Sequence, residues 1–161
     1  MKSNLLHAYA FNLKYAHKLV EDVPDDRMAD QPAGLSNHPA WVIGHLANTC
    51  NFAGSLLGVE NAGPSGWRDL LGNGSKPVAD RSKYPEKAAL LSALEAGHGR
   101  VAEVYEQAGE AALDAATPQE HFRAMFPTVG DALAFIMVAH EGIHLGQLSA
   151  WRRAMGMGSV L

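Results

Sequence analysis

The feature that most constrains this 161-residue chain is the spacing of its apolar residues, which recur every three to four positions along four long stretches. Such spacing gives each stretch one apolar stripe on a helix. Nothing between the stretches shows the strict alternation of a half-buried strand. The pattern therefore predicts an all-α protein. We expect the helices over about Ser3–Glu21, from Ser36–Pro39 to Gly58, from Pro85 or Glu86 to about Gly109, and from Thr128–Asp131 to Gly156.

Capping signals support two of these boundaries. Polar residues, among them His38, precede Pro39 and are typical of a helix N-terminus with proline in its first turn. Thr128 and Asp131 form a Thr-x-x-acid pattern that resembles a capping box. Gly156 is placed for a C-terminal glycine cap.

Long connections separate the predicted helices, at residues 22–36, 58–84 and 110–127. Four helices of similar length favour a four-helix bundle, and such connections permit a crossover topology. The loop 58–84 contains Trp67, Leu70 and Leu71, so we expect it to be ordered and to pack onto the bundle. The length fits a single domain over residues 1–161 whose core needs no disulfide.

Composition excludes several classes of function. A net charge of −4 with scattered Lys and Arg argues against nucleic-acid binding. No window approaches the roughly 20 apolar residues of a membrane span, and polar residues interrupt the first 22 positions, unlike a signal peptide. The single cysteine, Cys50, excludes an internal disulfide, and we expect a cytoplasmic protein.

Two histidines on the fourth helix form the clearest chemical signal. His140 and His144 are four residues apart, which turns the second about 40° from the first on a helix. Both lie on the apolar stripe of this helix, so we expect them to point into the core, where an imidazole without a hydrogen-bond partner is energetically costly. Two imidazoles one turn apart can chelate one metal ion, and binding would satisfy both.

The segment also reads His-Glu-x-x-His, the motif of zinc proteases. Those enzymes take a further ligand downstream, but no His, Asp, Glu or Cys follows His144. A third ligand must therefore come from upstream. His45 is the best candidate, because it shares the inward face of the second helix with Trp41, Asn48 and Phe52.

The two histidine segments together resemble the DinB/YfiT-like superfamily. The resemblance rests on HPAWVIGHLA and TVGDALAFIMVAHEGIHLGQL and extends over nearly the whole chain. It implies a four-helix bundle with up-down-down-up connectivity and a divalent metal held by His45, His140 and His144. It also implies a homodimer.

Characterised members of that family are largely transferases or isomerases that use bacillithiol, mycothiol or glutathione. Thiol-dependent chemistry on a small-molecule substrate is therefore the leading hypothesis, with a metal-dependent hydrolase as the first alternative. Three protein ligands leave open positions at which a metal would activate either a thiol or a water. A non-catalytic metal-binding stress-response protein is the second alternative. The ligand type favours Zn or Ni, with Fe or Mn as further candidates.

Three polar residues near the histidines are candidates for catalytic roles. Glu141 is a candidate general base, or an acceptor for an imidazole N–H, against the alternative of a solvated helix carboxylate. Gln147 is a candidate hydrogen-bond partner of substrate or bound water, against a packing role. Asn48, one turn after His45, is a similar candidate.

Other residues have weaker predictions. His98 faces inward, as a core histidine or a fourth ligand, whereas Cys50 should point away from the ion. Trp67 could serve as a lid. An acidic thiol would also need cations at the pocket mouth, and the candidates are Arg68, Arg81, Arg123 and Arg152.

Overall fold

The computed structural model describes residues 2–60 and 63–161. Within these residues the secondary structure consists of helices joined by loops, with no strand. The prediction of an all-α protein is confirmed. The helices are α1 (Lys2–Val20), α2 (Pro39–Ser55), α3 (Trp67–Leu71), α4 (Lys87–Gln107), α5 (Glu110–Leu113), α6 (Glu120–Arg123), α7 (Val129–Ala134) and α8 (Glu141–Ala154). A π-helical turn, Phe135–His140, joins α7 to α8.

The four predicted helices agree with α1, α2, α4 and the α7–α8 segment to within a few residues at each end. Two features were not predicted. The fourth helix contains the π-helical turn, and the long connections hold α3, α5 and α6, whose four or five residues are too few to show a periodic pattern.

The predicted caps are present. The His38 Nδ1 atom accepts a hydrogen bond from the backbone N–H of Trp41 at 3.2 Å, which caps α2. Thr128 and Asp131 form a complete capping box at the start of α7. Gly156 has a φ of +72°, the left-handed conformation expected of a glycine just after a helix.

The core lies where α2 packs against α4, and close approach of these helices depends on small residues. A Cβ atom added at Gly44 would lie 3.1 Å from a methyl of Leu90, and one added at Gly97 would lie 2.7 Å from the Cβ of Cys50. Leu90 is fully buried in the groove beside Gly44.

The loop 58–84 packs onto the helices as predicted, although Asn61 and Ala62 within it lie outside the described residues. Leu71 is fully buried, and Trp67 and Leu70 are partly buried against the core. Among the described residues, no helix is both long and apolar enough to cross a membrane.

Candidate metal centre

Three imidazoles from two helical segments converge at one point. The Nε2 atom of His140 lies 3.3 Å from Nε2 of His45 and 3.2 Å from Nε2 of His144. α2 carries His45, the π-helical turn ends at His140, and α8 carries His144. His45 and His144 are buried and His140 is half-buried, so the cluster is most accessible at His140.

The partners of the other ring nitrogens fix the tautomers of two of these rings. Nδ1 of His45 lies 2.7 Å from the carbonyl oxygen of Leu71, and Nδ1 of His144 lies 2.9 Å from Oε1 of Gln147. Both oxygens can only accept, so each Nδ1 carries the proton. The Nε2 atoms of His45 and His144 therefore both turn lone pairs towards His140.

Without a cation, this arrangement is frustrated. The ring of His140 can donate at most one Nε2–H, so at least one pair of facing nitrogens meets lone pair to lone pair. A tetrahedral zinc ion with Zn–N bonds of about 2.0–2.1 Å would place its nitrogen ligands about 3.3–3.4 Å apart. The observed separations of 3.2 and 3.3 Å match that spacing, so the residues present suit a divalent metal.

Electrostatics keeps the three rings neutral, the form in which imidazole binds metal. Burial, with the neighbouring His144 and His45, lowers the pKa of His140 to about 3. Burial and the nearby His45 lower the pKa of His144 to about 4. The pKa of His45 is also lowered by burial, although its bond to the carbonyl of Leu71 opposes the shift.

The partner of His45 is a backbone carbonyl that sequence analysis did not identify. Leu71, the last residue of α3, packs over Gly44, where an added Cβ would lie 2.6 Å from a Leu71 methyl group. The absence of a side chain at Gly44 therefore lets α3 bring the carbonyl to His45. Sequence analysis indicated only that this loop packs onto the helices, not that one of its carbonyl groups would contact His45.

Two further residues orient the histidines. Trp41 stacks on the ring of His45, with centroids 4.6 Å apart and planes inclined by 8°. Gln147 is held in turn by Asn37, whose Nδ2 donates to the same Oε1 atom at 2.9 Å. Gln147 thus supports a histidine of the cluster, as does Asn37, which sequence analysis did not single out.

Glu141 is buried and contacts a histidine outside the three-histidine cluster. It is only 3% exposed, so the alternative of a solvated carboxylate was wrong. Its Oε1 lies 2.7 Å from Nε2 of His98, which is also buried. His98 therefore belongs with Glu141 rather than with the three-histidine cluster, and Cys50 is grouped with this pair. Asn48 is half-buried beside Gly72.

Three of the arginines considered for an anion-binding mouth are engaged elsewhere. Arg81 pairs with Asp25 at 2.7 Å. Arg152 forms an ion pair with Asp22 through two nitrogens. Arg123 donates to backbone carbonyls of its own loop. Arg68 is exposed on α3, the helix whose Leu71 carbonyl contacts His45, and is the remaining candidate.

Comparison with known families agrees with this geometry. The family model described as the DinB superfamily matches residues 8–148, which include all three histidines of the cluster. The chain belongs to the DinB superfamily. Searches among curated proteins and among solved structures gave no match. Membership in the DinB superfamily and the histidine cluster together indicate metal binding.

Proposed function

We propose that this DinB-superfamily protein is a divalent-metal-dependent enzyme that transfers or isomerises a small substrate with the help of a low-molecular-weight thiol. His45, His140 and His144 would hold the metal. The observation that carries the proposal is the convergence of three neutral imidazoles whose lone pairs face one another at 3.2–3.3 Å. Zinc or nickel suits this all-nitrogen donor set best, and iron or manganese are further candidates.

A divalent cation in this position would lower the pKa of a thiol or a water bound to it. The protein's own contribution is orientation. Leu71 and Gln147 fix the imidazole tautomers, and Trp41 holds the plane of His45. Such support from neighbouring groups commonly raises metal affinity ten- to a hundredfold.

The position of Glu141 favours a thiol over a water as the activated group. A hydrolase often pairs its metal with a carboxylate base, and here that carboxylate is buried against His98. A thiol needs no such base, because its ordinary pKa of about 8.5 is already close to neutrality. Asn48 and Gln147 remain candidates for contacts with substrate, and Arg68 for contact with an acidic thiol.

The test is turnover of an electrophile with glutathione by the metal-loaded protein. We expect turnover to require both thiol and metal, and to fall by at least about 100-fold in His45→Ala. We expect that variant, measured without metal, to remain folded, with a melting temperature lowered only by the lost stacking on Trp41 and the lost hydrogen bond to Leu71. Metal-dependent ester hydrolysis without thiol would instead support the hydrolase alternative. A large loss of stability with no activity in either protein would support a purely structural metal.

We also propose the up-down-down-up bundle topology, which three sets of contacts support. Lys2 lies near Glu106, and Lys87 near Val23, so α1 and α4 would run in opposite directions. Gly44 faces Leu90 and Gly97 faces Cys50, which supports a parallel α2 and α4. The side chain of Asn12 contacts the carbonyl of Met137, and Arg152 that of Leu19, which supports a parallel α1 and α8. A crystal structure would test this arrangement.

Finally, we propose a cytoplasmic homodimer. The single free cysteine, Cys50, is buried and consistent with a reducing compartment. Phe11 on α1 and Ile143 on α8 are 48% and 55% exposed, and a second copy could cover them. Light scattering of the purified protein tests the dimer, and a mass of one chain would contradict it.

A further inference from the structure

A second group of potential ligands lies in the core, apart from the three histidines. Cys50 on α2, His98 on α4 and Glu141 on α8 place a sulfur, a nitrogen and a carboxylate oxygen within 4.8 Å of one another. All three residues are at most 4% exposed. Three helices that are distant in sequence thus bring three different metal-binding groups to one buried point.

One atom of this group lacks a partner. Oε1 of Glu141 lies 2.7 Å from His98, whereas Oε2 is buried without a hydrogen-bond partner. The side chain of Asn12 lies near this carboxylate, but its Nδ2 donates to the carbonyl of Met137 at 3.2 Å. A buried carboxylate oxygen without a partner is costly, because it has lost its hydration and gained nothing in exchange. A cation bound by both carboxylate oxygens would remove this cost.

The surrounding packing holds the group in place. Gly97 lets α4 approach Cys50 so closely that an added Cβ would lie 3.1 Å from its Sγ. The ring of Tyr9 stacks on His98 with centroids 3.7 Å apart, and its hydroxyl lies 3.4 Å from Sγ of Cys50. A thiolate at this position could therefore accept a hydrogen bond from Tyr9.

We propose that Cys50, His98 and Glu141 form a second, closed site for a divalent, thiol-binding cation such as Zn²⁺. One sulfur, one nitrogen and both oxygens of a bidentate carboxylate would supply four donor atoms, and the burial of all three residues would exclude water from the site. On binding, the thiol proton of Cys50 leaves to solvent. The proton that links His98 to Glu141 moves from Nε2 to Nδ1, so the ring stays neutral, Nε2 becomes a ligand, and the 2.7 Å hydrogen-bond separation opens to admit the ion.

Charge also favours a cation at this position. A thiolate and a carboxylate together carry two negative charges, which a divalent cation neutralises, so the buried assembly has no net charge. Without a cation, burial raises the pKa of the Cys50 thiol to about 12. The all-nitrogen cluster offers no such neutralisation, so the two sites differ in ligand chemistry.

Cobalt substitution distinguishes the two sites, because Cys50 is the only cysteine in the chain. A thiolate-to-cobalt charge-transfer band in the near ultraviolet can therefore arise only from the second site. We expect the full-length, metal-stripped protein to bind two Co²⁺ per chain and to show this band. Cys50→Ser should lose the band and one equivalent, whereas His140→Ala/His144→Ala should lose one equivalent and keep the band.

A surface pair of the same type provides the control. His17 and Glu95 lie 3.0 Å apart but are partly exposed, so His17→Gln should bind as much cobalt as wild type. The double histidine variant tests the three-histidine cluster by itself, and Cys50→Ser tests the second site by itself. The loss of metal binding at one site can therefore be recognised independently of the other. Wild-type protein that binds cobalt without the thiolate band would overturn the second site and leave the buried group as a hydrogen-bond network.

Discussion

Replacing Gln147 by leucine tests how much the protein gains from fixing the tautomer of His144. Oε1 of Gln147 accepts from Nδ1 of His144 and from Nδ2 of Asn37, each at 2.9 Å. Leucine fills a similar volume but accepts no hydrogen bond. The Nδ1–H group of a buried ring then loses its partner, and the ring is free to adopt the tautomer that turns a proton towards the metal.

The expected loss in metal affinity is about ten- to a hundredfold, or about 1.4–2.8 kcal/mol. The matched variant is Gln147→Glu, whose carboxylate still accepts from His144 and should preserve or increase affinity. Competition with a chromophoric chelator measures the dissociation constant, and the Cys50→Ser background ensures that the three-histidine cluster alone is titrated. Circular dichroism should show both variants folded. If Gln147→Leu binds zinc within about threefold of the parent, the glutamine does not orient His144 and this part of the account fails.

Three further variants test other parts of the structure. Gly44→Ala should lower the free energy of unfolding by about 1–3 kcal/mol, because the added methyl overpacks against Leu71, and it should also weaken zinc binding. The control is Gly142→Ala, whose added methyl meets no atom within 4 Å and should change neither quantity. Equal effects of the two variants in chemical denaturation and zinc titration would refute this. Thr128→Ala should lower the free energy of unfolding by about 1 kcal/mol, because the capping box is lost, and should leave the zinc affinity unchanged. A large change in zinc affinity would show that this cap also affects the metal centre. Burial lowers the pKa of His38 to about 4, below its unfolded value of about 6.5, so the folded state loses stability as the pH falls from about 6.5 to 4. The melting temperature of His38→Asn should therefore fall less steeply over that pH window. An unchanged slope would refute this.

Periodicity placed each of the three histidines on an inward helix face, and the resemblance to the DinB/YfiT-like superfamily placed them around one ion. His140 and His144 share a helix face by spacing alone, and His45 lies on the inward stripe of another helix. Their neighbours depended on tertiary packing instead. The carbonyl of Leu71 reaches His45 through a loop, and a backbone acceptor carries no residue-type signal by which sequence analysis could identify it.

The same limit applies to the contacts of Glu141 and Arg81, which depend on tertiary packing. Helical periodicity shows that Glu141 is offset from His140 by about 100°, but not what lies on that side. On that side Tyr9 stacks on His98 and α4 approaches Cys50, so Glu141 is buried there, which the periodicity of a single helix does not reveal. Arg81 likewise pairs with Asp25, a residue 56 positions away in the chain.

The most direct test of the central claim is the metal content of purified, untagged protein compared with that of His140→Ala/His144→Ala, both saturated with zinc and freed of excess. Elemental analysis should find one equivalent fewer per chain in the variant, with the helical content of both proteins unchanged. Equal metal content in the two proteins would contradict a metal centre at His45, His140 and His144.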